Sequence, residues 1–200
     1  MQLTKSLIRL IDLGASLLGL IVLIPLFLVI SFLIWIEDKH CPFFLQERVG
    51  LNFKLFQIVK FRSMSPNKSG LLISSSTDKR ITKIGSFIRK YKIDELPQLF
   101  NVLQGHMSLV GPRPEVKFYV NKYNKSQIEI IKVKPGITDY ASILYRNENE
   151  LLSKSLNPEE TYINIIMPRK IRLNMVWANN YSLKTYFDCI LTTLVHIIRY

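Results

Sequence analysis

From Leu13 to Ile36 the chain carries 24 consecutive residues without a charge. As a straight helix this run is about 36 Å long, enough to cross the hydrocarbon core of a bilayer. It is too long for the apolar part of a cleaved signal peptide, and no small-x-small cleavage site follows it. Pro25 stands in its middle, where a proline removes one helical hydrogen bond and crowds the preceding turn. Lys5 and Arg9 precede the run, and Lys39 and Arg48 follow it, so the flanking charges set no orientation. Two readings stay open on these residues: a kinked spanning helix, or a helix broken at Pro25 that returns to the face it entered. Asp12, at the entrance of the run, needs a polar partner, the interface or a capping role.

The other 160 or so residues suit one domain with a sizeable core. Lys and Arg number 27 against 15 Asp and Glu, a net charge of +12, which favours anionic partners such as phospholipid, phosphorylated substrate or nucleic acid. Cys41 and Cys189 lack CxxC spacing and nearby His, so they read as free thiols rather than a disulfide or zinc site.

Residues 43–49 and 53–61 have strand composition around a Gly50-Leu51-Asn52 turn, which predicts a β-hairpin carrying Lys60 and Arg62 at its far end. Ser65 to Thr77 reads as a loop. Ile81, Ile84, Ile88 and Tyr91 recur at helical spacing with basic residues between them, a pattern suited to a solvated face or to anionic lipid. Asp94 to Gly105 predicts a further helix with Leu96, Leu99, Phe100 and Leu103 as its apolar stripe, Asp94 as cap and Gly105 at its end. Gly111 to Glu115 is an irregular, stiff loop, and Pro158 opens a helix. The tail from Tyr186 sets Leu191, Leu194, Val195 and Ile198 on one helical face.

Asp94-Glu95 follows a basic segment and opens an apolar helix. One carboxylate there can hold Mg²⁺ while the ion keeps waters and substrate phosphates, and Lys60, Arg62, Arg89 and Arg113 supply charge-assisted bonds to phosphate oxygens. A carboxylate can also attack phosphorus directly. The same dipeptide equally suits a plain cap and first-turn acid.

Lys60-Phe61-Arg62-Ser63-Met64 and the long string from Ile93 to Pro114 resemble the bacterial sugar transferases, or monotopic phosphoglycosyl transferases, in their minimal catalytic form. Gln46 to Gly50, Asp78 to Thr82 and Lys134 to Thr138 extend the match over nearly the whole chain. The resemblance implies an enzyme that moves a sugar-1-phosphate from a UDP-sugar to polyprenyl (undecaprenyl) phosphate with release of UMP, an early membrane step of capsule, O-antigen, exopolysaccharide or glycoprotein glycan assembly. It implies Asp94 as nucleophile, Glu95 as its dyad partner, both as Mg²⁺ contacts, Arg89 and Lys60 on phosphate, and Pro112-Arg113-Pro114 near the nucleotide. It also implies an α/β, mostly α, fold: a re-entrant membrane helix over residues 1–40 broken at Pro25, then a small β-hairpin and a cytosolic helical catalytic domain over 41–200 with interfacial amphipathic helices. The expected setting is the cytoplasmic face of the bacterial inner membrane, with lipid but no nucleic acid as partner and self-association left open.

The sequence departs from the family pattern twice. Ile24 precedes Pro25 where the family has serine, and Asp139-Tyr140-Ala141-Ser142 stands where many members have Gly-Trp-Ala-Gln. The second departure leaves the sugar unassigned. A membrane-tethered nucleic-acid module and a non-catalytic scaffold are the rival readings; the first lacks a motif, and the second leaves an intact dyad without a task.

Overall fold

A computed structural model describes residues 2–65 and 78–198; the loop expected after Ser65 lies outside the described residues. The chain opens with one long helix, α1 (Gln2–Asp38), followed by the strands β1 (Phe43–Val49) and β2 (Leu55–Phe61). Next come α2 (Lys83–Lys90), a 3₁₀ segment (Ile93–Gln98), α3 (Leu99–Leu103) and β3 (Ser108–Val110). After α4 (Lys117–Val120) and the 3₁₀ turn Gln127–Lys132, β4 (Gly136–Thr138) leads into α5 (Tyr140–Leu144) and α6 (Glu148–Ser153). The last helical stretch holds α7 (Pro158–Thr161), a π turn (Tyr162–Ile166) and α8 (Met167–Asn179), and α9 (Leu183–Ile198) closes the fold.

The expected hairpin forms: β1 and β2 pair antiparallel from Phe43 with Phe61 to Val49 with Leu55. A second sheet was not foreseen. It joins β3 and β4 in parallel, Ser108 opposite Gly136 and Val110 opposite Thr138. Its closeness demands glycine, because a Cβ on Gly136 would lie 2.0 Å from the amide nitrogen of Gly111.

Helix α1 does not break at Pro25; its helical secondary structure runs through the proline from Gln2 to Asp38. Packing partners elsewhere along a helix can sustain it across one missing bond. Its buried residues Ile8, Asp12, Ser16 and Leu20 recur every fourth position, and Ile30 and Ile34 return to the same face. The opposite face exposes Ile21, Val22, Leu28, Val29 and Phe32. By length and composition α1 is able to cross a membrane.

Both ends of α1 are tied to the same body. Near the start, Arg9 donates from Nη1 to Val102 O at 2.6 Å and from Nη2 to Leu103 O at 3.1 Å, satisfying carbonyls at the end of α3. Buried Asp12 accepts from Leu109 N at 2.9 Å and from the Tyr186 hydroxyl at 2.6 Å, which joins α1 to β3 and α9. Near the end, Glu37 accepts from Lys83 N and Ile84 N at 2.7 and 3.0 Å, capping α2 from outside. Ile30 and Ile34 pack there with Phe61 and Ile88.

The segment after Lys92 differs from the expected helix. Lys92 adopts a left-handed conformation at φ 58°, and the chain then enters a 3₁₀ turn rather than an α-helix capped by Asp94. Asp94, Pro97, Gln98, Asn101 and Val102 are the buried residues, while Phe100 of the expected apolar stripe is exposed. The tighter 3₁₀ winding rotates the inward face. Gly105 does end the helical run, at φ 86°. Cys41 and Cys189 are free thiols, as expected.

Candidate active site

The 3₁₀ turn lays Asp94 and Glu95 against β2, and one side chain fixes that approach. Asn101 donates to Gln57 O at 2.7 Å and accepts from Val59 N at 3.0 Å, completing the edge of β2 that β1 leaves open. Lys60, next along the strand, is thereby set 3.3 Å from Glu95 Oε1.

Arg113 grips Glu95 from the other side, Nη1 to Oε2 at 2.9 Å and Nη2 to Oε1 at 2.5 Å. The stiff loop aims it there. Gly136 N donates to Pro112 O at 3.0 Å, Arg48 Nη1 to Pro114 O at 3.2 Å, and Gly111 N to Thr138 O at 3.0 Å. Both prolines are buried beside the cleft, so their part is to hold the backbone from which Arg113 projects.

The two neighbouring carboxylates therefore meet opposite fates. Burial opposes ionisation of Glu95, but Arg113 and Lys60 outweigh it and hold its carboxyl well below the usual range. Burial, aided by the charge of Glu95, pushes Asp94 up to about 6 against the weaker pull of Lys60, Lys92 and Arg89. Asp94 Oδ1 is buried and has no hydrogen-bond partner among the described residues. Burial also brings Lys60 down to about 8, although Glu95 opposes that shift.

Asp94, Glu95, Lys60, Arg62, Arg89 and Arg113 all line one cleft of about 650 Å³. Nine basic side chains and four carboxylates border it. Arg62 donates from Nε to Cys41 O at 2.8 Å, and Arg89 projects from the last turn of α2. Pro25 does not border the cleft, and Pro112 and Pro114 line a smaller cavity next to it.

The far wall escaped sequence reasoning. Arg48 lies 3.5 Å from Glu115, Tyr162 donates its hydroxyl to Glu115 Oε1, and Lys170 donates to Glu148 at 2.7 Å. Tyr162 stands in the π turn directly before α8, whose second residue is Pro168. A proline in an otherwise continuous helical stretch was the available signal for that irregularity.

No group of three or more His, Cys, Asp or Glu side chains among the described residues converges to hold a metal. Both oxygens of Glu95 are engaged by Arg113 and Lys60, so the oxygen available to a cation is on Asp94. A single carboxylate completed by phosphates and water suits Mg²⁺.

Comparison with known proteins identifies the family. The profile of the family described as "Bacterial sugar transferase" matches residues 3–200. A Bacillus subtilis (strain 168) protein provisionally named an undecaprenyl-phosphate N-acetylgalactosaminyl 1-phosphate transferase is 45% identical over 132 residues, 65% of this chain and 70% of its own length. The UDP-N-acetylgalactosamine-undecaprenyl-phosphate N-acetylgalactosaminephosphotransferase of Aeromonas hydrophila is 41% identical over 66% of this chain. The UDP-glucose:undecaprenyl-phosphate glucose-1-phosphate transferase of Klebsiella pneumoniae is 36% identical over 88% of this chain. The matched stretches make up only 33% and 36% of those last two proteins. With its dyad, its cationic cleft and a match across nearly its whole length, this chain belongs to the bacterial sugar transferases.

Proposed function

We propose that this protein transfers a sugar-1-phosphate from a UDP-sugar to polyprenyl phosphate, undecaprenyl phosphate by analogy with the relatives named above, in two steps through Asp94. In the first, a carboxylate oxygen of Asp94 bonds to the β-phosphorus of the donor. The bond from that phosphorus to the bridging oxygen breaks, and UMP leaves with the electron pair. In the second, a phosphate oxygen of the lipid bonds to the same phosphorus, the aspartyl bond breaks and the carboxylate returns.

The carrying observation is the unpaired, buried Oδ1 of Asp94 in a cationic cleft, next to a Glu95 whose own oxygens are taken. Desolvation leaves the carboxylate poorly stabilised and hence reactive, while Lys60, Arg62, Arg89 and Arg113 spread the charge of the phosphates. Glu95 keeps Lys60 and Arg113 in place rather than attacking. Mg²⁺ would be held by Asp94 together with donor phosphates, and it supplies neutralisation of phosphate charge.

The apolar surfaces support a membrane setting. Alongside α1, Phe87 of α2, Tyr91 at its C-cap, and Leu191, Leu194 and Val195 of α9 are exposed. Exposed, basic Lys83 and Lys90 on α2 suit anionic headgroups at the cytoplasmic face of the bacterial inner membrane. There a soluble donor meets a lipid-borne phosphate.

The test is incubation of the membrane-bound protein with a panel of UDP-sugars and undecaprenyl phosphate, following UMP and the mass of the lipid product. Asp94→Asn is expected to remain in the membrane and to release no UMP. Turnover by that variant at the wild-type rate refutes the nucleophile.

A further inference from the structure

The wall opposite the dyad is chemically unlike the phosphate-facing side. Ser142, Tyr145, Arg146, Glu148 and Asn149 line it from the segment spanning α5 and α6, backed by Tyr162 and Lys170. Glu148 opens α6, and Lys170 holds its Oε2 at 2.7 Å. Lys170 is itself buried and sits 5.8 Å from the Tyr162 ring centroid, so it anchors the carboxylate in one position. Glu148 Oε1 has no hydrogen bond to any described residue. Ser142 gives its proton to Asp139 Oδ2 at 2.5 Å, which leaves its oxygen as an acceptor. Asn149 stands exposed at the rim.

A phosphate avoids a fixed carboxylate. Neighbouring hydroxyl groups do the reverse: each donates one O–H and seeks a fixed acceptor, and an aromatic side chain nearby covers the ring's apolar face. The cleft, at about 650 Å³, is large enough for a nucleotide-sugar whose diphosphate lies at the dyad. Glu148 and Arg113, the guanidinium that grips Glu95, line the same cleft, so the two walls face one such ligand.

We propose that Glu148, with Ser142 and Asn149, forms a diol-binding subsite that holds a sugar ring of the donor by adjacent hydroxyls. The proposal rests on the transferase reading above. A UDP-sugar carries two such rings, the transferred sugar and the ribose, and the chemistry of recognition is shared between them. The departure at Asp139-Tyr140-Ala141-Ser142 falls directly on this wall, since Asp139 both caps α5 and orients Ser142.

The experiment uses the full-length protein in its membrane and compares Glu148→Gln and Asn149→Ala with wild type. Asn149→Ala leaves the Lys170–Glu148 pair intact and keeps the test decisive should Glu148→Gln fold poorly. UMP release is measured with pairs of UDP-sugars epimeric at one hydroxyl, together with inhibition by UMP. Loss of one good hydrogen bond to the ring raises KM about ten-fold for the preferred donor. If the transferred sugar is the ring held, discrimination between epimers collapses while UMP inhibition is unchanged. If it is the ribose, all donors and UMP weaken by the same factor. Either pattern supports the subsite. KM, epimer preference and UMP inhibition all within two-fold of wild type in folded Asn149→Ala and Glu148→Gln overturn it. A wild type that releases no UMP from any UDP-sugar overturns the transferase reading and the subsite with it.

Discussion

Asp94 and Glu95 are adjacent in sequence, yet the fold pushes them to opposite electrostatic states, and that separation has consequences measurable in pH. Asp94 titrates near 6 and Lys60 near 8. The proposed nucleophile is ionised above the first value, and the lysine is charged below the second. The rate of UMP release should therefore follow a bell with limbs near those values. Lys60→Arg, whose guanidinium stays protonated, should move the alkaline limb upward while leaving the acid limb in place. The same burial carries a cost in stability. The folded state holds the Asp94 proton more tightly than the unfolded chain, whose value is 3.8. Stability is thus lost as pH rises through the interval from 3.8 to about 6, by on the order of 2–3 kcal/mol. Asp94→Asn removes that penalty, so thermal unfolding should show a higher Tm than wild type at pH 7.5 and a gain that shrinks toward pH 4. The dyad and its cations were legible as residue types in a motif. The electrostatic asymmetry was not, because it depends on Arg113 arriving from another loop and occupying Glu95 alone.

Among the elements, legibility followed sequence distance. The hairpin was readable because its strands are neighbours and their aromatic and β-branched residues declare it locally. The β3–β4 pair was not, since three residues at Ser108 must find three at Gly136 across two intervening helical segments. The helix expected at Asp94 failed for a related reason: packing of Asn101 on β2 and the left-handed Lys92 dictate a 3₁₀ turn that composition does not announce. Helix α2 shows how an element is set by a distant residue. Thr82 caps its third amide-bearing residue, Gly85, and Glu37 of α1 takes the amides of Lys83 and Ile84. Glu37→Gln weakens a charge-assisted cap and should cost about 1 kcal/mol of stability. Because α2 carries Arg89 into the cleft, KM for the donor should rise as well. Denaturant unfolding and steady-state kinetics on the same preparation check both effects.

Over the whole molecule, the uncharged run left two topologies open, and we propose the one in which both ends of α1 lie on one face. A helix that crosses a bilayer puts its ends about 36 Å apart on opposite sides. Here Arg9 is bonded to the end of α3 and Glu37 to the start of α2, two elements of one polar body separated by a single 3₁₀ turn. A body that bears Lys60, Arg113 and the other cleft cations does not itself thread the hydrocarbon core, which supports the proposal that both ends of α1 lie on one face. On that proposal, the exposed Ile21, Val22, Leu28 and Val29 around Pro25 form the part pressed into lipid. Two thiols test this. Cys41 is exposed just after α1 and Cys189 is buried, so Cys41 reports on the far end, and Ser6→Cys in a Cys41→Ser background reports on the near end. In intact cells a membrane-impermeant maleimide should label neither position, and after permeabilisation it should label both. Labelling of one end from outside and the other from inside would establish a spanning helix and require the Arg9 or Glu37 contacts to be absent in the membrane. If membrane association withstands high salt in wild type and is lost on Ile21→Lys with Leu28→Lys, the inserted segment lies around Pro25 rather than at either anchored end.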